Sequence, residues 1–244
     1  MNDHADAARY AQSAGELLLE LRDDDTRAPW ALGDAGDALA NRHLLELLAT
    51  EHPEDRVLSE ESSDDRRRLD ADRVWIIDPL DGTREFTEPG RNDWAVHVAL
   101  WERDRGLTAG AVALPAIDMV LSTDDPPVLP PVEDRPWRVI VSRSRAPVVA
   151  RRVAHALDAD VVYLGSAGAK AMAVVLGHAD AYVHSGGQYE WDNAAPAVVA
   201  LAAGLHASRL DGSPLEYNRS SPWLPDLVVC RPELADQVLK VTTA

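Results

Sequence analysis

Only one cysteine, Cys230, and two lysines, Lys170 and Lys240, occur in the 244 residues. A lone cysteine forms no intramolecular disulfide and cannot build a structural zinc site. The eight histidines show no H-E-x-x-H or other short metal spacing, which counts against zinc hydrolysis. Gly165-Ser166-Ala167-Gly168 is not a nucleophile elbow, because Leu164 stands where that motif needs glycine. No P-loop and no dinucleotide fingerprint occurs, so P-loop nucleotide hydrolysis and hydride transfer lose support. No stretch approaches the ~20 apolar residues of a membrane span. The first ten residues, MNDHADAARY, lack the basic and apolar regions of a signal peptide, so a cytoplasmic protein that does not enter membranes is expected. Basic residues number 24 against 41 acidic ones, a net charge of −17, which makes duplex nucleic acid an unfavourable partner.

What the chain does have is apolar content, 46%, ample for a core in one large domain or two small ones. Apolar periodicity predicts a helix over 7–21 and a second over 39–48, with Asp37 just ahead of the second. Strands follow at RVLSEE, RVWIID, DWAVHVALW, LTAGAVALP and DMVLST, the last two as a hairpin or meander. This first part, 1–125, reads as α+β with a mostly antiparallel sheet. DDPPVLPPVEDRP carries five prolines and reads as a surface loop, with 126–135 as linker. From 136 to 244 strands and helices alternate in α/β fashion: helices over 147–157, 166–176 and 191–203, strands at WRVIVS, DVVYLG, ADAYVH, LHASRL and DLVVC, and a last helix.

Acidic residues recur at the ends of these elements: Asp37, Glu60 and Glu61 in SEES, Asp78 and Asp81 in DPLDGT, and Asp192 in EWDNAAP. Singly, each reads as a solvated acid or a helix cap, and DPLDG as a plain turn. Gathered by folding, they would repel one another and raise their pKa values unless cations intervene. Hard divalent cations with oxygen ligands, Mg²⁺ first, meet that need. On this account Asp81→Asn relieves repulsion and raises the melting temperature of the metal-free chain.

Glu60-Glu61, Asp78-Pro79-Leu80-Asp81-Gly82-Thr83 and Trp191-Asp192 with two alanines close behind resemble, in order, the signature set of the inositol monophosphatase superfamily of lithium-sensitive, Mg²⁺-dependent phosphatases. VLSEES, DGTREF and GSAGAKAMAVV look most like its bacterial CysQ-type 3'(2'),5'-bisphosphate nucleotidases. The resemblance implies a layered αβαβα sandwich. It implies two or three Mg²⁺ held by Glu60, Asp78, the Leu80 carbonyl, Asp81 and Asp192, with Pro79 fixing a turn that lets a carboxylate and a main-chain oxygen face one ion. Asp37, Glu60 and Thr83 would be catalytic, orienting and deprotonating a water for in-line attack on phosphorus. Asp34 stands where the family usually has a threonine three residues before the water-orienting aspartate. Asp81, Gly82, Thr83, Arg84 and Asp192 would meet the substrate phosphate and its surroundings, with Gly82 and Thr83 opening a helix. Ser142, Gly165, Ser166 and Lys170 would contact the leaving group, with Gly186, Gly187 and Glu190 shaping the same wall.

The implied substrate is a small phosphate ester, adenosine 3',5'-bisphosphate or its sulfated relative, in sulfur assimilation or removal of the bisphosphate. Inositol 1-phosphate and fructose 1,6-bisphosphate are the alternative substrates, and a catalytically silent metal-binding regulator is the alternative class. The assembly expected is a monomer or homodimer.

Overall fold

The computed structural model describes residues 2–23 and 26–244. The first helix, α1 (Asp3–Asp23), buries Ala7, Tyr10, Ala11, Ala14 and Leu18, the three-to-four spacing of one apolar face. The second, α2 (Pro29–Glu51), opens with Pro29 in its first turn, where a missing N–H costs nothing. It starts ten residues earlier than periodicity indicates, so Asp37 lies within the helix and not ahead of it. Gly33 and Gly36 look like breakers in sequence, yet both are buried against the segment around Asp81. A Cβ at Gly33 would stand 2.8 Å from Thr83 Cγ2, and one at Gly36 3.0 Å from Leu80 Cδ2. Close approach, more than helix propensity, selects glycine there, and it delivers Asp37 to Thr83.

Five strands form the first sheet in the order β1 (Arg56–Ser59), β2 (Arg73–Asp81), β3 (Ala95–Glu102), β4 (Gly106–Leu114) and β5 (Met119–Ser122). Only β1 and β2 are parallel. A five-residue helix, α3 (Thr83–Thr87), follows β2. The second sheet has the order β7 (Asp160–Leu164), β6 (Arg138–Ser142), β8 (Ala181–Tyr189), β10 (Trp223–Cys230), β9 (His206–Ser208). There β6 runs parallel to both neighbours, while β8, β10 and β9 are antiparallel, so the α/β half holds a mixed sheet.

Helices α5 (Ala167–Val175) and α6 (Glu190–Ala202) lie between the sheets, contacting β3 and β4 on one side and β8 and β10 on the other. Helices α1 and α2 cover the outer face of the first sheet, and α4 (Val148–Ala156) with α7 (Ala235–Thr242) joins the outer face of the second. The result is the five-layer αβαβα sandwich, with one apolar cluster between each pair of neighbouring layers or, for the central helices, spanning both sheets. No helix among the described residues is long and apolar enough to cross a membrane.

Candidate active site

The stretch DPLDG is not a turn. β2 continues through Pro79 to Asp81, and its pairing with β3 slips between Asp78, opposite His97, and Asp81, opposite Ala95. In a regular strand, residues three apart face opposite sides. The irregularity cancels that alternation and turns both carboxylates to one side, as bulges near active sites do. Gly82, at φ +89°, then takes a left-handed conformation that suits glycine and starts α3.

Oxygens of Asp78, Asp81 and Asp192 lie within 4.8 Å of one another. Asp192 comes from the first turn of α6 and accepts a 2.5 Å hydrogen bond from the Tyr189 N–H. Asp78 Oδ1 accepts from the Leu80 N–H at 3.1 Å, and its buried Oδ2 has no hydrogen-bond partner. A buried carboxylate oxygen without a donor, surrounded by other carboxylates, fits a hard cation. A second group, Asp3, Asp6 and His52, also converges, but Arg73 already pairs with Asp3 there.

The remaining predicted residues border this cluster unequally. Thr83 Oγ1 is 3.3 Å from Asp37 Oδ1 and 3.2 Å from the Leu80 carbonyl, so its one proton can go to either. Glu60 and Glu61 lie outside the group that converges within 4.8 Å, and neither lines the cleft described next. A cleft of about 470 Å³ opens beside the cluster, lined by Asp81, Gly82, Ser142, Gly165, Ser166, Lys170, Gly186, Gly187 and Asp192 among others. Arg84 does not line it; its exposed side chain pairs with Glu88. Nor does Glu190, whose fully buried carboxylate accepts the Asn218 and Arg219 N–H groups at 2.7 and 2.8 Å. It anchors a loop and does not shape the cleft wall.

Repulsion acts on most of these acids as charge crowding requires. Burial first, then Asp81 and other carboxylates, pushes Asp78 well up. Desolvation and Asp192 bring Glu60 up to about 7, desolvation and Glu61 bring Asp37 to about 7, and burial and Asp81 bring Asp192 to about 6. Asp81 is the exception and overturns the expectation that its charge is a burden. Burial pushes it up, but His97, Lys170 and Ser166 more than offset this and hold it at about 2. Its oxygens accept from Ser166 Oγ at 2.6 Å, the Gly168 N–H at 2.6 Å and the Ala167 N–H at 3.2 Å, and His97 Nε2 lies 3.2 Å away. Asp81 therefore caps the start of α5 from across the cleft.

Lys170 is buried, with its ammonium donating to the Gly165 carbonyl and, at 2.6 Å, to that of Ser166. Burial lowers its pKa to about 8. Two residues went unread in the sequence. His97, fully buried, sits among the site acids with Nδ1 3.0 Å from the Trp191 carbonyl, and its place in the apolar run AVHVAL was the available signal. Asp93 accepts from the Gly165 N–H at 2.6 Å and pairs with Arg91 and Arg143, tying the second half to the first; nothing local marks it.

These shifts predict how the metal-free protein responds to pH. A carboxylate whose pKa rises on folding holds its proton longer in the native state, so stability falls as pH climbs from the ordinary carboxylate range through the folded value. The melting temperature should fall between about pH 4 and 7, the window set by Asp37, Glu60 and Asp192. Saturating Mg²⁺ should remove most of that decline. A rising metal-free curve over the same window would contradict the crowding.

A phosphate-ester hydrolase organised around clustered carboxylates is the class that this fold and site define. The chain belongs to the inositol monophosphatase family, whose sequence profile matches residues 11–125 and 138–242. It is 54% identical to the 3'-phosphoadenosine 5'-phosphate phosphatase of Mycobacterium leprae, over 99% of this chain and 93% of that one. The CysQ structure from Bacteroides thetaiotaomicron superposes with a TM-score of 0.77 at 25% identity, covering 93% of this chain and 96% of the other. The 2'AMP-bound structure of the inositol monophosphatase SaIMPase-II gives 0.80 at 21% identity, covering 98% and 95%.

Proposed function

We propose that the protein is a cytoplasmic, Mg²⁺-dependent phosphomonoesterase that removes the 3'-phosphate of adenosine 3',5'-bisphosphate to leave AMP. The convergence of Asp78 with Asp81 and Asp192, the last two lining the cleft, and the unpartnered Asp78 Oδ2 carry this reading. The relative named for that substrate supports the choice of ester.

Asp78, Asp81 and Asp192 would hold the cations, with Glu60 and the Leu80 carbonyl beside them. Bound there, Mg²⁺ would neutralise phosphate charge and make water a better nucleophile. Asp37, with its pKa brought to about 7, is poised to take a proton near neutrality, and Thr83 Oγ1, within reach of Asp37 and of the Leu80 carbonyl, can give its one proton to either. Gly82 and Ser166 border the space for the ester, Gly82 from the first half and Ser166 from the second.

Phosphate release from adenosine 3',5'-bisphosphate, inositol 1-phosphate and fructose 1,6-bisphosphate, with and without Mg²⁺, tests the reading. The bisphosphate nucleotide should give the highest kcat/KM, and Li⁺ should inhibit at saturating Mg²⁺. Release that ignores Mg²⁺, or none from any ester, would overturn it. Lys170, beneath the cleft, and Arg145, on its rim with no ion-pair partner among the described residues, are the cations proposed to favour a second phosphate. A charge-assisted phosphate contact implies that Lys170→Ala cuts kcat/KM for the nucleotide roughly ten- to hundredfold, and much less for inositol phosphate. Equal losses would assign Lys170 to the architecture through its two carbonyls and leave Arg145 as the discriminating charge.

A further inference from the structure

Among the exposed large side chains, two aromatic ones line the catalytic cleft: Tyr189, 46% exposed, and Trp223, 50% exposed. They are direct partners in the antiparallel pairing of β8 and β10, so they sit side by side on the sheet. Tyr189 stacks on Trp191 with ring centroids 4.8 Å apart and planes 9° from parallel. Trp223 rests on Gly187, where an added Cβ would stand 2.5 Å from the indole Nε1. Gly187 is at φ +95°, so the backbone itself makes the seat for the ring. An exposed indole and phenol on one rim of a polar cleft are an unusual use of apolar surface in a chain this acidic. They lie next to Asp192, three residues beyond Tyr189, and therefore beside the metal cluster.

We infer that Trp223 and Tyr189 form a stacking shelf for the purine base of the substrate, and so determine specificity for nucleotides over other phosphate esters. The inference rests on the nucleotide reading above and assigns the base a place on it. Stacking asks only for a π-face, which a base has and an inositol or a fructose lacks. One pocket then holds the scissile phosphate beside the cations that Asp81 and Asp192 would bind, and the base against the shelf, with the ribose between.

The test compares wild type, Trp223→Ala and Trp223→Phe on adenosine 3',5'-bisphosphate and on the base-free ribose 3,5-bisphosphate. Base stacking on an aromatic side chain implies that Trp223→Ala loses roughly ten- to hundredfold in kcat/KM on the nucleotide, mainly through KM. Activity on the base-free ester should stay within about twofold, and Trp223→Phe should regain most of the loss. Unchanged nucleotide kinetics, or equal losses on both esters, would overturn the shelf. If the wild type does not hydrolyse the nucleotide at all, the nucleotide reading falls by itself. The shelf then stands or falls on whether AMP quenches tryptophan fluorescence in wild type and not in Trp223→Ala.

Discussion

Asp78→Asn should abolish Mg²⁺-dependent phosphate release while making the metal-free protein melt higher. The two halves of this expectation have one cause. Asp78 is fully desolvated among Asp81, Glu60 and Asp192, and its Oδ2 has no donor. An amide at that position keeps Oδ1 for the Leu80 N–H and offers its NH₂ to the neighbouring carboxylates, so repulsion becomes attraction. Activity pays for this, because the oxygen best placed for a cation is gone. Groups that merely support a metal ligand cost 10- to 100-fold when changed, so loss of a ligand should exceed about 100-fold. Asp81→Asn should lose activity as well but melt several degrees lower, since it breaks charge-assisted bonds worth about 1.5–3 kcal/mol each at the start of α5. Calorimetry of both variants without metal, beside phosphate release with it, checks the pair. If both melt higher, the distinct role of Asp81 is wrong; if Asp78→Asn keeps its turnover, the cation assignment is.

Gly168→Ala should be nearly as damaging, though it adds one methyl group to a residue that does not line the cleft. A Cβ there would run into the imidazole of His97, which has no exposed surface and cannot swing away. Either the helix start withdraws, breaking the 2.6 Å bond from the Gly168 N–H to Asp81, or His97 is pushed out of its contact with that carboxylate. Overpacking of this kind costs about 1–3 kcal/mol, and Asp81 should lose its alignment with Asp78 and Asp192. A lower melting temperature and a large drop in kcat are expected. The double variant Gly168→Ala with His97→Ala should recover part of the stability by vacating the space. A fully stable and active Gly168→Ala enzyme would refute this packing account.

The carboxylates were legible in the sequence because each stands in a short motif at the end or start of an apolar element, and the structure gathers Asp78, Asp81 and Asp192. Their separate electrostatic fates were not legible. Nothing in DPLDG shows that Asp81 meets Ser166, Ala167 and Gly168, some 85 positions later, and so becomes, of the three converging acids, the one at ease with its charge. The placing of Asp37 failed for a local reason: glycines that usually interrupt helices are here required by close packing against Thr83 and Leu80. Trp223 and Tyr189 could not be paired by eye either, because the register that sets them side by side is fixed by a long connection between β8 and β10.

The central helical layer gives the two halves a common fate. Val74, Ile76, Ala99 and Val112 of the first sheet and Tyr182, Leu227 and Val229 of the second share one apolar cluster with α5 and α6. Severed at the Pro-rich segment, the N-terminal fragment would keep Asp78 and Asp81 but bare the inner face of its sheet to water. Its counterpart would carry both central helices with one side of them stripped. Neither piece could stand alone as a working module, because each completes the buried face of the other.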